Sequence, residues 1–308
     1  MPATEFICPD GKTILIESCL QKHGCRLKKR CATLPYLRLI GFDREWKGVS
    51  PSSAGTGPRA LYLKAEVNYA INPQDRAWSA FGTSTHDNLG IHKYSENVLS
   101  EEKLSDADMS GTADILEEDE EKNDHYILTD YKTWGSFKVA KALGLVIETT
   151  EETILDEEGS PVLLKSGPNK GKPKTRQKTE LKYDPAKIDL KAEEYQLNRY
   201  RIFFEQKGFP ISRIRIQVVT RDGGTYIAKN RGILKNIYII PVKRLLNNDV
   251  LAYYKNLSDE VLEAFRTGYA RKCDIWESWG RKRCEGFCEI VEDCKSMSKI
   301  HNEKWGLI

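Results

Sequence analysis

The 308-residue sequence has no cysteine between residues 32 and 272, no apolar run long enough to cross a bilayer, and almost no net charge. Each absence excludes something. Lys plus Arg number 48 against 45 for Asp plus Glu, so a formal charge of +3 cannot by itself attract a polyanion, and nucleic-acid binding would have to come from local patches. A membrane span needs about 20 apolar residues in a row, so none is expected. No basic segment followed by an apolar core opens the sequence, which makes an export leader unexpected and the expected compartment cytoplasmic. With 40% hydrophobic and 30% charged residues, the chain is expected to be globular, as one large domain with appendages or as two domains.

The cysteines that the middle lacks stand in two quartets at the ends: Cys8, Cys19, Cys25 and Cys31, then Cys273, Cys284, Cys288 and Cys294. An even count is compatible with disulfides, but without an export signal thiolate–metal chemistry is the favoured reading. The N-terminal quartet spaces its last three cysteines evenly instead of pairing them as C-x-x-C. It is read as a zinc module, with His23 as an alternative donor.

Residues 5–17 read as a hairpin around a Pro-Asp-Gly turn. "GVSPSSAGTGP" at 48–58 reads as a linker or mobile loop, and a boundary is placed there. From 59 to about 245 helices and strands alternate, so the expected organisation is an N-terminal Cys-rich module (1–58), an α/β core (59–245) and a C-terminal helical segment with the second quartet (246–308). A helix containing His86 is expected over 76–99, and strands over 109–116 and 126–132 flanking an acidic loop. A long hairpin is expected after residue 144, followed by an amphipathic helix stopped by Gly208.

Asp-x-Lys occurs four times, at 10–12, 130–132, 189–191 and 293–295, where average composition gives about one in a chain this long. Only "DYK" at 130–132 ends an apolar strand. If the strands at 111–116 and 126–132 form an antiparallel hairpin, positions summing to 244 lie opposite one another and Asp114 faces Asp130. Two like charges placed there repel unless a cation sits between them, and an oxygen-seeking Mg²⁺ or Mn²⁺ is the natural occupant. Alternation along the strand puts Lys132 on the Asp130 side and Tyr131 on the other. Such a set suits phosphodiester hydrolysis, with a metal-activated water and a lysine that orients it.

Taken in order, His86, Asp114 in "GTAD", Asp130 and Lys132 in "DYK", and Gln196 and Tyr200 in "QLNRY" resemble the PD-(D/E)xK nuclease superfamily. The likeness is to its RecB-like exonucleases, including the CRISPR-associated and AddB-type members that carry an iron-sulfur cluster. It covers about residues 80–205 and the C-terminal cysteines. The resemblance implies a restriction-endonuclease-like core, a mixed central sheet flanked by helices. It implies that His86, Asp114, Asp130 and the Tyr131 carbonyl hold the metal, that Lys132 acts on the water, and that Gln196 and Tyr200 position substrate and lysine. Members often add a glutamate before the first aspartate, for which Glu96, Glu101 and Glu102 are candidates.

Cys284, Cys288 and Cys294 are spaced C-x3-C-x5-C, one residue wider in the first gap than in the iron-sulfur relatives, whose fourth ligand comes from the N-terminal side. Here Cys273 or any of the N-terminal four is available, and the preferred reading joins Cys273 to the other three around an iron-sulfur cluster or Zn²⁺. Lys170, Lys172, Lys174 and Arg176 in the hairpin, and Arg281, Lys282 and Arg283 among the cysteines, are candidate phosphate contacts. The expected function is a metal-dependent DNA exonuclease in recombination, repair or phage-like DNA processing. It would act on single strands or duplex ends, with a helicase or recombination protein as the expected partner. The alternatives are a non-catalytic nucleic-acid-binding module held by two cysteine–metal centres, and a structural subunit that docks a helicase or integrase.

Overall fold

The computed structural model describes residues 3–41, 46–91 and 98–304. Strands β1 (Glu5–Ile7) and β2 (Thr13–Leu15) pair as the expected hairpin. Their turn requires a residue in the left-handed region, and Gly11 supplies it at φ +79°. Helices α1 (Ile16–Leu20), α2 (Leu34–Gly41) and α3 (Pro58–Glu66) follow, the last opening on a proline where no N–H is needed. Strand β3 (Ala70–Ile71) joins the free edge of β1 in parallel.

Helix α4 (Ala77–Ile91) carries His86. It ends short of the expected residue 99, because Val98–Ser105 is a strand, β4; residues 92–97, Glu96 among them, lie outside the described residues. Next come β5 (Ser110–Glu118), β6 (Tyr126–Trp134), α5 (Ser136–Ala142), and the long hairpin β7 (Leu145–Thr153) and β8 (Thr175–Tyr183). Helix α6 (Lys191–Gln206) precedes β9 (Ile211–Thr220), α7 (Tyr226–Asn230) and β10 (Ile237–Pro241). Helix α8 (Asn247–Thr267) stops on left-handed Gly268, and α9 (Val291–Lys304) closes the described chain.

The central sheet has the order β10-β9-β6-β5-β4. Its β4–β5 and β5–β6 pairs are antiparallel, whereas β9 runs along β6 in the same direction: Tyr126 N–H donates to Pro210 at the start of both strands and Arg221 N–H to Trp134 near their ends. The fold is thus mixed α/β, with a mixed sheet flanked by helices. No helix among the described residues is long and apolar enough to cross a membrane.

The chain divides into two compact units, and β6 and β9 each pass from one into the other. The first comprises residues 1–131, 191–215 and 241–308, the second 132–190 and 216–240. In the first, Phe6, Ile16 and Leu37 share one buried core with Ala60, Tyr62 and Leu63 of α3 and with Ala264, Ala270 and Ile290. Segment 48–58 is not a mobile linker. Val49, Pro51 and Ser53 are buried, Ser50 and Ser53 cap a short turn reciprocally, and the Tyr254 hydroxyl donates to the Pro51 carbonyl at 2.8 Å.

The second unit is held at the start of α5, where the Asp222 carboxylate accepts from both Ser136 N–H and Ser136 Oγ at 2.6 Å. Along the β7–β8 arm, Arg176 pairs with Glu152 and Lys182 with Glu148 across the ladder. Residues 145–183 hold seven acidic and seven basic side chains, so the arm as a whole is neutral and only its tip, with Lys170, Lys172 and Lys174, is locally basic.

Candidate metal centre

Helix α6 buries Leu197, Tyr200, Phe203 and Phe204 at helical spacing, and its rotation is fixed by two arginines that are almost wholly inaccessible to solvent. Arg199 pairs with Asp106 in the β4–β5 turn and lies over the Phe203 ring, 4.0 Å from its centroid. Arg201 bonds Asn198, Glu205, the Leu245 carbonyl and Asn247. Held this way, α6 directs Gln196 and Tyr200 toward the sheet. Gln196 Nε2 lies 3.5 Å from Asp130 Oδ1. The Tyr200 phenol is held well above its ordinary pKa by burial, reinforced by the charges of Asp130 and Asp114.

The β5–β6 register pairs Ile115 with Thr129 and Leu116 with Leu128, so partners sum to 244 as expected, and the paired ladder ends there, one step short of Asp114 and Asp130. Beyond Ile115 the Asp114 side chain takes over the hydrogen bonding: its Oδ2 accepts Tyr131 N–H at 2.7 Å. On the other side, β4 pairs Ser100 with Ile115 and Glu102 with Ala113, which sets Glu101 against Asp114. Glu101 and Asp114 therefore form a row across β4 and β5, and Asp130 lies on the next strand, β6.

The His86 imidazole comes to this row from α4, its Nδ1 3.4 Å from Asp114 Oδ1 and 3.8 Å from Glu101 Oε1. The donor atoms of His86, Glu101 and Asp114 all lie within 4.8 Å of one another, and among the described residues they form the group of three or more with this property. Asp130 is not in that tight set; it is buried, on the Gln196 side of the row. The Tyr131 ring stands edge-on to His86, with centroids 6.3 Å apart. Lys132 follows on β6, the strand that carries Asp130.

Of the two candidate glutamates within the described residues, the structure brings Glu101 to the group. It does so at φ +53°, a left-handed backbone that a glutamate rarely adopts and that turns its carboxylate toward His86 and Asp114. No spacing in "VLSEEKLS" announces this. The cue that was available is the arithmetic of the register, which needs β4 to be recognised as a strand first.

All eight cysteines are free thiols, and no disulfide joins any of them. In the C-terminal quartet, burial pushes the Cys273 and Cys288 thiols up; Cys273 lies in the field of Cys294 and Cys288, and Cys288 in that of Cys284. Buried Arg59 donates to the Ala270 carbonyl at 2.8 Å and lies 3.8 Å from Cys294 Sγ. Arg283 reaches the Gly55 and Glu277 carbonyls and Arg281 the Cys273 carbonyl, so these two guanidinium groups serve the loop itself, while Lys282 is exposed. No protein-family model matches the chain, and no curated protein sequence does.

Proposed function

We propose that the chain is a divalent-metal-dependent deoxyribonuclease of the RecB-like, PD-(D/E)xK kind, with a restriction-endonuclease-like core. The observation that carries this reading is the group His86, Glu101 and Asp114, whose donor atoms lie within 4.8 Å of one another, with buried Asp130 on the next strand of the sheet. Carboxylate oxygens and one imidazole suit Mn²⁺ well and Mg²⁺ through the carboxylates. A divalent ion bound there supplies a water of lowered pKa and a counter-charge for phosphate oxygens.

The remaining residues take roles by position. Tyr131 N–H fixes the Asp114 carboxylate and leaves Oδ1 directed at His86. Lys132 is assigned to the attacking water. Gln196 holds Asp130 in place, and the neutral Tyr200 phenol serves as a donor beside the two aspartates. The hairpin-tip lysines are assigned to phosphates, and the substrate is DNA, as single strands or duplex ends.

The test is degradation of end-labelled linear DNA by the purified chain in Mg²⁺ or Mn²⁺, with closed circular DNA as the control for end dependence. Lys132→Ala abolishes cleavage and leaves the circular dichroism spectrum unchanged. Undiminished cleavage by that variant removes the assignment of Lys132, and absence of divalent-dependent cleavage by the wild type removes the nuclease reading in favour of a binding module.

A further inference from the structure

The four N-terminal cysteines come from separate places: Cys8 from the hairpin turn, Cys19 from α1, Cys25 and Cys31 from the segment that follows. All four line a single cavity of about 20 Å³. That is room for about one water-sized sphere, and so for one ion. His23, the alternative donor, is exposed and does not line it.

The surrounding charges fit an anionic occupant. Four thiolates around a divalent ion leave about two negative charges. Arg26, Lys29 and Arg30 line the same cavity, and Arg26 reaches the Cys8 sulfur as well as Asp10. Arg30 donates through Nη2 to the Gln21 carbonyl at 2.6 Å, while its buried Nε has no hydrogen-bond partner. Cys19, the most buried of the four, feels the fields of Cys25, Cys31 and Cys8 together.

The segment between α1 and α2 has little else to hold it. Leu27 is exposed, and His23 and Lys28 sit in the left-handed region at φ +63° and +59°. A short stretch with strained residues and an exposed leucine lacks the apolar burial that would order it.

We propose that Cys8, Cys19, Cys25 and Cys31 hold one soft divalent ion of the zinc class in four-thiolate coordination, as a centre separate from the C-terminal quartet. Tetrahedral zinc with Zn–S of about 2.3 Å needs its sulfurs about 3.8 Å from one another, whereas no three of these cysteines have their Sγ atoms all within 4.8 Å of one another, so binding draws them inward and staples the segment to the β1–β2 hairpin. Each Cys that enters as a thiol releases its proton on binding, and no oxidant or reductant is needed. The ion lies beside Pro73, where the chain leaves β3 toward α4. This assignment stands whether or not the chain is a nuclease.

The full chain is purified without chelator, its zinc is measured by mass spectrometry, and Co²⁺ is used as a spectroscopic probe. The expected result is zinc that is lost in Cys8→Ser/Cys25→Ser and kept in Cys284→Ser/Cys288→Ser, with cobalt–thiolate absorption following the same pattern. In the wild type, iodoacetamide modifies Cys25 and Cys31 more than tenfold faster after chelation, a readout that needs no variant to fold. Equal alkylation with and without chelator overturns the proposal. So does metal content that is indifferent to Cys8→Ser/Cys25→Ser, or sulfide-bearing iron at this site.

Discussion

Asp114 Oδ2 accepts the Tyr131 backbone N–H at 2.7 Å, so a side chain supplies the bond at the place where the β5–β6 ladder gives out. One carboxylate oxygen is thereby committed to the fold and the other faces His86 at 3.4 Å. Asp114→Asn separates the two duties, because an amide oxygen still accepts from Tyr131 while the negative charge is gone. The variant is expected to melt within a few degrees of the wild type and to bind Mn²⁺ at least about tenfold more weakly, in keeping with the loss of one ligand charge. Mn²⁺ titration followed by electron paramagnetic resonance checks this, and an unchanged affinity removes Asp114 from the centre.

Glu101 and Glu102 are chemically identical neighbours on β4. Only Glu101 comes within reach of His86 Nδ1. Glu101→Gln is expected to weaken Mn²⁺ binding about tenfold and Glu102→Gln to leave it unaltered. Relief of the positive φ by Glu101→Gly adds a control, since it removes the carboxylate and the backbone strain together: that variant should be no less stable than wild type yet bind metal as poorly as the glutamine variant. Equal loss from Glu101 and Glu102 would place the effect in surface charge rather than in coordination.

The legible parts of this fold are those where periodicity and pairing arithmetic speak together. The acidic loop between β5 and β6 has strands rich in apolar residues on both sides, and its centre fixes which residues face each other, so the register of this hairpin can be read from the chain. Strand β4 cannot be read that way. It is an edge strand with three charged residues in a row, Glu101, Glu102 and Lys103, and its expected helix-like approach from α4 hides the break. The buried arginines of α6 are equally silent, because Arg199 and Arg201 look like solvent-facing charges until Asp106, Asn198 and Asn247 are seen around them. Packing of segment 48–58 depends on Tyr254, about 200 residues away along the chain, which local composition does not register.

Tyr200 is kept protonated by burial and by the fields of Asp130 and Asp114, so the donor role proposed for it would not be lost by titration. Tyr200→Phe removes the hydroxyl and retains the ring that packs in α6. The expected stability loss is about 1 kcal/mol, that of one hydrogen bond, with a larger proportional fall in cleavage rate than in DNA affinity. The pH–rate profile of the variant keeps the alkaline limb of the wild type, because a phenol whose pKa is raised does not titrate there. A limb displaced by the substitution would assign the titration to Tyr200 and defeat the donor role.

Asp119, at the mouth of the β5–β6 loop, accepts from Ser212 Oγ and the Arg213 guanidinium, and these two hold its carboxyl down at about 2 against an ordinary 3.8. A depressed folded-state pKa contributes stability that is fully present above the unfolded value and is lost as pH falls through the folded one. The window is therefore from about pH 4 down to about pH 2. Urea midpoints of wild type and Asp119→Asn should differ by a constant amount at pH 5 and above, with the wild type more stable. They should then converge across that window as the carboxylate of the wild type takes up its proton. A gap that persists unchanged to pH 2 would mean that the charge of Asp119 is not what Arg213 stabilises, and that the loop is held by the neutral bonds to Ser212 and to Glu121 N–H alone.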